Sequence, residues 1–160
     1  MMIGSFKSSC SNIYFPMLCD IYYASEEQDE YGKIRKNWNF DRSEACTFYS
    51  LSDKSNSDNF VYDASQFYKL ETMLFGRVRS DARKGSDGFY HPVSHILITN
   101  LRSGSPCGDS EAFYIETNNV WEGKPTIFEL KMIQPFVGPF NSIEYYKIQL
   151  ERSDSQELLN

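Results

Sequence analysis

The chain has 160 residues, enough for one domain with its own core. Its formal net charge of −6 argues against a general nucleic-acid binder, which would neutralise phosphates with Lys and Arg. No run approaches the ~20 apolar residues of a membrane helix, and Met1 to Cys10 hold no apolar stretch of signal-peptide length, so a chain that folds in a cytoplasm is expected.

Aromatic residues are abundant, with 11 Tyr, 12 Phe and 2 Trp, and such side chains favour pleated, half-buried surfaces. Residues 1–11 are small and polar and read as a flexible arm. The aromatic run after them is broken by Pro16 and continues as a strand from Met17 to Tyr23. Ser25 to Lys33 is acidic, ends in Tyr31-Gly32, and suits an exposed hairpin tip. Lys33 to Phe40 alternates as a returning strand, and Glu44 to Ser52 reads as another. Asp53 to Asn59 is a polar loop. Ser65 to Phe75 has helical spacing at Phe67, Leu70 and Leu74, with a strand from Thr72 to Val78 as the competing reading. Gly76 to Asp87 is basic and falls in a long loop.

Further strands are expected at His95–Leu101, Ala112–Thr117, Thr126–Gln134 (ended by Pro135) and Ile143–Leu150, separated by turn-forming segments. Residues 151–160 read as a polar tail. The pattern predicts a single mainly β domain over residues 1–160. It would be a small antiparallel barrel or sandwich with long loop insertions and at most one short helix.

No complete catalytic or metal motif is present, and no cofactor is expected. His91 and His95 have the H-x-x-x-H spacing, but Pro92-Val93-Ser94 lies between them without the Glu of a zinc protease. Neither a G-x-S-x-G elbow nor a phosphate loop occurs. Cys10, Cys19, Cys46 and Cys107 match no zinc spacing and are expected to be free thiols. The residues that stand out are candidates for protein contact. Glu26, Glu27, Asp29 and Glu30 make an acidic tip, and Arg77, Arg79, Arg83 and Lys84 a basic loop that an identical neighbour's tip would meet. Tyr31 and Phe89 would supply affinity, and Trp38 and Trp121 lie beside turns as core lids or interface anchors.

Two stretches carry a resemblance. Asp20-Ile21-Tyr22-Tyr23, Gln28-Asp29-Glu30-Tyr31-Gly32 and Lys36-Asn37-Trp38 together resemble the opening of the head-closure, or stopper, proteins of tailed bacteriophages. Phe128-Glu129-Leu130 through Pro135 to Tyr145-Tyr146-Lys147-Ile148-Gln149-Leu150 is similar to that family's closing hairpin. The resemblance covers about half the chain, with Gly76 to Pro92 and Ser103 to Ser110 standing as additions. It implies a small β-barrel in the virion, assembled in the host cytoplasm as a ring of identical subunits between portal or adaptor proteins and tail proteins. Passing contact with DNA in the channel is also implied, whereas a membrane, a cofactor and a catalytic residue are not. Another β-rich tail component, such as a tail terminator or baseplate protein, and a small ligand-binding barrel or enzyme stay open beside it.

Overall fold

A computed structural model describes residues 15–49, 73–103 and 124–159. They form six strands, β1 (Met17–Gln28), β2 (Ile34–Tyr49), β3 (Met73–Val78), β4 (Ile96–Ser103), β5 (Phe128–Val137) and β6 (Ile143–Arg152). Every pairing is antiparallel, and the order β1-β2-β3-β6-β5-β4 closes on itself through β4 and β1. The fold is therefore mainly β, and the only helical turn among the described residues is a 3-10 turn at Val93–His95.

Alternation selects the core. Cys19, Ile21 and Tyr23 of β1, Cys46 of β2, Leu74 and Val78 of β3, Ile96 and Ile98 of β4, Phe128 and Leu130 of β5, and Ile148 and Leu150 of β6 point into one buried cluster. Leu97 and Ile127 are also buried, but outside that cluster, on the flank followed by residues 153–159. Ser153 N–H donates to Ile127 O, and the Gln156 amide exchanges hydrogen bonds with the Ile127 backbone. The expected polar tail is thus, over residues 151–159, a strand end and a docked segment.

Several expected boundaries move. β1 continues to Gln28, which leaves only residues 29–33 as the tip. The two strands expected around Asp41 are one strand, β2, because the polar residues Arg42 and Ser43 stay in the ladder with β1. The register slips there, Ile21 facing Arg42 and Tyr22 facing Phe40, so Asp41 is the extra residue of a bulge. Of the two readings of the stretch before Gly76, the strand from Thr72 to Val78 is the one found, as β3 from Met73 to Val78, so Met73 to Phe75 is not helix and Gly76 to Val78 does not belong to the loop. Pro135 does not end β5, because beyond Glu129 the side of β5 away from β6 has no strand partner among the described residues, so the missing N–H breaks no ladder. The expected arm at residues 1–11, the loop Asp53–Asn59, the strand Ala112–Thr117, Trp121, Cys10 and Cys107 lie outside the described residues.

Cys19 and Cys46 are buried free thiols on neighbouring strands. A hydrogen bond with Cys19, together with burial, pushes the Cys46 thiol far above its ordinary value. The folded state then holds a proton that the unfolded chain loses above about pH 8.5. The corresponding stability is complete below that pH and declines as pH rises, by up to about 1.4 kcal/mol per pH unit. Urea unfolding between pH 8.5 and 9.5 should show a steeper loss for wild type than for Cys46→Ala, and equal slopes would refute the assignment. Both thiols should also react with an aromatic disulfide reagent only after unfolding.

Candidate interaction surface

The register sets which connections share an end of the barrel. β2 runs from Tyr49 beside Phe75 to Cys46 beside Val78 and continues upward to Ile34, while β6 descends from its turn to Tyr146 beside Val78. The β1–β2 turn, the 79–92 loop and the β5–β6 turn therefore lie at one end, and Tyr49, Met73, Ser103 and Phe128 at the other.

The three connections at that shared end use the same local construction. Gly32 N–H donates to Asp29 O with Gly32 at φ +79°, Gly88 N–H to Gly85 O with Gly88 at φ +86°, and Asn141 N–H to Gly138 O with Asn141 at φ 59°. Each is a tight turn followed by a left-handed residue, which suits Gly and Asn. The Asp29 carboxylate also accepts from Tyr31 N–H and Lys33 N–H, so it shapes the turn and does not face outward for a partner. The corner residues are pushed into solvent, Tyr31 being 93% and Phe140 90% exposed.

Two of these turns cap ribbons that rise above the barrel. β1 last meets β4 at Tyr23 and then extends to Gln28 with β2 as its one strand partner among the described residues, a projection of about 17 Å at strand rise whose base is braced by the Val93–His95 turn. Its charges are mixed across the ribbon. Glu26 faces Lys36 and Glu27 faces Arg35 in register, Asp29 lies 3.6 Å from Arg35, and Glu26 lies 2.9 Å from His95 Nε2. The expected acidic tip is thus an internally compensated ribbon, with Glu30 at its corner.

The 79–92 loop is pinned by side chains for which the sequence held no signal. The bulge brings the adjacent residues Asp41 and Arg42 to the same loop. Arg42 donates to Asp81 O at 2.9 Å, Lys84 O at 2.8 Å, Ser80 Oγ and the Tyr23 hydroxyl, and pairs with Asp41 at 2.8 Å and Glu44 at 3.2 Å. Burial opposes its charge, but the hydrogen bonds to Asp41, Tyr23 and Glu44 outweigh it and raise the guanidinium above its ordinary value. Burial likewise opposes the Asp41 carboxylate, and hydrogen bonds from Ser86 and Arg42 overcome it, leaving that carboxyl below its ordinary value. The Tyr23 hydroxyl donates to Ala82 O at 2.6 Å, Ala82 joins the core, and His91 stacks on the Tyr23 ring at 4.0 Å. The loop is a plug for the barrel mouth that leaves Phe89 and Tyr90 exposed.

The structure separates the basic residues that the sequence groups together. Arg83 is paired with Asp81 at 3.1 Å, and Lys84 lies 6.0 Å from the Tyr90 ring. Arg79 is exposed, whereas Arg77 belongs to β3, outside the loop, with its guanidinium 5.9 Å from the Phe15 ring and 5.4 Å from the Tyr145 ring. Trp38 is half-buried at the base of the β1–β2 ribbon, lining a cleft of about 480 Å³ with Val93, Leu97, Leu130 and Leu158. Among the described residues no three His, Cys, Asp or Glu side chains converge as metal ligands would.

Comparison with protein-family models, curated proteins and solved structures gives no match.

The arrangement itself shows what the surface can do. An isolated two-stranded ribbon is marginally stable in water, and its outer edges leave N–H and C=O groups unpaired. Here two such ribbons flank a plugged mouth. They carry exposed Tyr31 and Ile34 on one side and Val137, Phe140 and Ile143 on the other. Of the residues expected to make contacts, Tyr31 and Phe89 are exposed on this surface. Phe140, equally exposed, is not among the residues the sequence singled out. The Gly138-Pro139-Phe140-Asn141 turn could have shown it, since Pro and Asn at those places force the residue between them to a corner.

Proposed function

We propose that the chain is a structural subunit of a tailed-phage neck, a head-tail connector or head-closure protein. It would assemble as a ring of identical copies between portal or adaptor proteins and the tail. The observation that carries this reading is the pair of exposed ribbons and the pinned loop at one end of a closed barrel. These elements expose apolar and aromatic residues that a lone barrel does not need. The resemblance of the β1–β2 and β5–β6 segments to the opening and closing hairpins of stopper proteins falls on these same ribbons. The role assigns no catalytic residue and no cofactor.

The competing reading is a small ligand-binding barrel, favoured by the cleft beside Trp38. Native mass spectrometry of the full chain separates the two. A single closed oligomer of defined copy number is expected for the connector. A protein that stays monomeric at its highest soluble concentration would overturn that reading.

A further inference from the structure

On the outer face of β3, β6 and β5, cations and aromatic rings alternate. Arg77 and Lys147 are directly opposite each other in the β3–β6 register. Tyr145 and Phe136 stack with ring centroids 4.6 Å apart and planes 8° from parallel. The Arg77 guanidinium lies 5.4 Å from the Tyr145 ring, and Lys147 Nζ lies 5.3 Å from the Phe136 ring. Like charges placed directly opposite each other on a sheet destabilise it unless an anion sits beside them. Arg42, Arg83, Arg102 and Lys131 all have carboxylate partners, while Arg77 and Lys147 have none among the described residues. The buried Arg77 Nε also lacks a hydrogen-bond partner. The face is therefore a pair of uncompensated cations beside a stacked aromatic pair.

The chain carries the complement on a separate surface. In the strand order β1-β2-β3-β6-β5-β4, β6 is three strands from β1 and two from β2, and the Glu30-Tyr31 corner lies beyond the barrel mouth, so the corner and the β6 face are separate surfaces of one subunit that cannot meet each other within it. The corner of that ribbon is Glu30-Tyr31. Glu30 has no ion-pair partner among the described residues, and the Tyr31 ring is 93% exposed. A donor and an acceptor on separate surfaces of one subunit make a head-to-tail contact, which generates a closed ring where its rotation closes and an open filament where it does not.

We infer that the Glu30-Tyr31 corner of one copy docks on the Arg77–Lys147–Tyr145–Phe136 face of the next. The Glu30 carboxylate would neutralise the opposed cations, and Tyr31 would extend the Phe136–Tyr145 stack. The inference rests on the connector reading and names the surfaces through which its copies meet.

The test uses the full chain in two variants, both altered at exposed positions. One is Glu30→Lys with Tyr31→Ala, which removes the corner. The other is Lys147→Glu, which disables the face. Thermal unfolding like that of wild type establishes that each is folded, and Arg77→Gln replaces Lys147→Glu if that variant is unfolded. Light scattering and native mass spectrometry should show wild type assembled and each variant at least tenfold weaker in self-association. An equimolar mixture should form a 1:1 dimer that grows no further, because one variant brings an intact corner and the other an intact face. If wild type assembles and either folded variant assembles equally well, the docking pair is wrong while the ring stands. A mixture that forms no dimer likewise overturns the docking pair. A monomeric wild type removes both.

Discussion

Replacing Arg42 with alanine should cost about 3 kcal/mol of stability and release the 79–92 loop from the barrel mouth. Hydrogen bonds to a charged group contribute roughly 1.5–3 kcal/mol each, and removing one member of a buried ion pair costs roughly 3–5 kcal/mol. Arg42 is about one-fifth exposed, which places it at the low end. The loss is concentrated, because one guanidinium holds the carbonyls of Asp81 and Lys84 and the hydroxyls of Ser80 and Tyr23, and without it Asp41 and Glu44 keep their charges but lose the cation. Arg42→Lys should recover only part of the loss, since a single ammonium cannot span that fan of acceptors. Hydrogen exchange gives the local readout. His91 N–H, bonded to Arg83 O, and Gly85 N–H, bonded to Phe89 O, should lose protection in Arg42→Ala well beyond the global change. Wild-type protection at both amides would show that the loop holds itself. The Asp41 share of the clamp has a pH signature. Its carboxyl is held below the ordinary value, so its contribution is complete above about pH 4 and is lost as pH falls through the lowered folded value.

Replacing Gly76 with alanine should be as damaging, for a steric reason. Gly76 pairs with Phe48 on one side and Ile148 on the other, in the six-residue strand that joins β2 to β6. A Cβ there would lie 2.0 Å from Thr47 O, 2.7 Å from Phe48 Cδ1 and 2.9 Å from Phe48 Cα. Two of those atoms are backbone and cannot turn away, so β2 and β3 must separate. Overpacking of this kind costs roughly 1–3 kcal/mol and occasionally more, and with a closing strand at stake about 3 kcal/mol is expected. Gly88→Ala is the control. Its Cβ meets nothing within 4 Å, so only the positive φ is penalised, at roughly 1–2 kcal/mol. Urea unfolding of the two variants decides the point. If Gly76→Ala is no less stable than Gly88→Ala, β3 does not need close backbone approach at this position.

Where a strand buries one face, its sequence announced it. Met17 to Tyr23 and Ile143 to Leu150 place alternate residues in the core, and each lies within a strand of the barrel, while His95 to Leu101, apolar on both faces, covers a strand whose Leu97 is buried outside the core cluster. The errors fall where tertiary contact overrides local chemistry. Asp41-Arg42-Ser43 looks like a break because it is polar, yet its polarity serves a loop some 40 residues away. Gly76 looks like a turn former because nothing local reveals that Phe48 lies across it. Pro135 looks like a terminator because its neighbour on the open side of β5 cannot be seen in one sequence to be missing. The candidate surface was legible in the same uneven way. Tyr31 and Phe89 were visible as aromatics beside turn residues. The grouping of Arg77 with Arg83 followed sequence proximity, whereas Arg77 is matched with Lys147, 70 positions away.

The common end of the three turns has a bearing on how the sequence can vary. Tyr49, Met73, Ser103 and Phe128 sit at the opposite end, so the three tips are placed relative to one another by strands that run the length of the barrel. The spacing of Tyr31, Phe89 and Phe140 is therefore a property of the strand registers, and a change that slips one register by a residue displaces one tip against the other two.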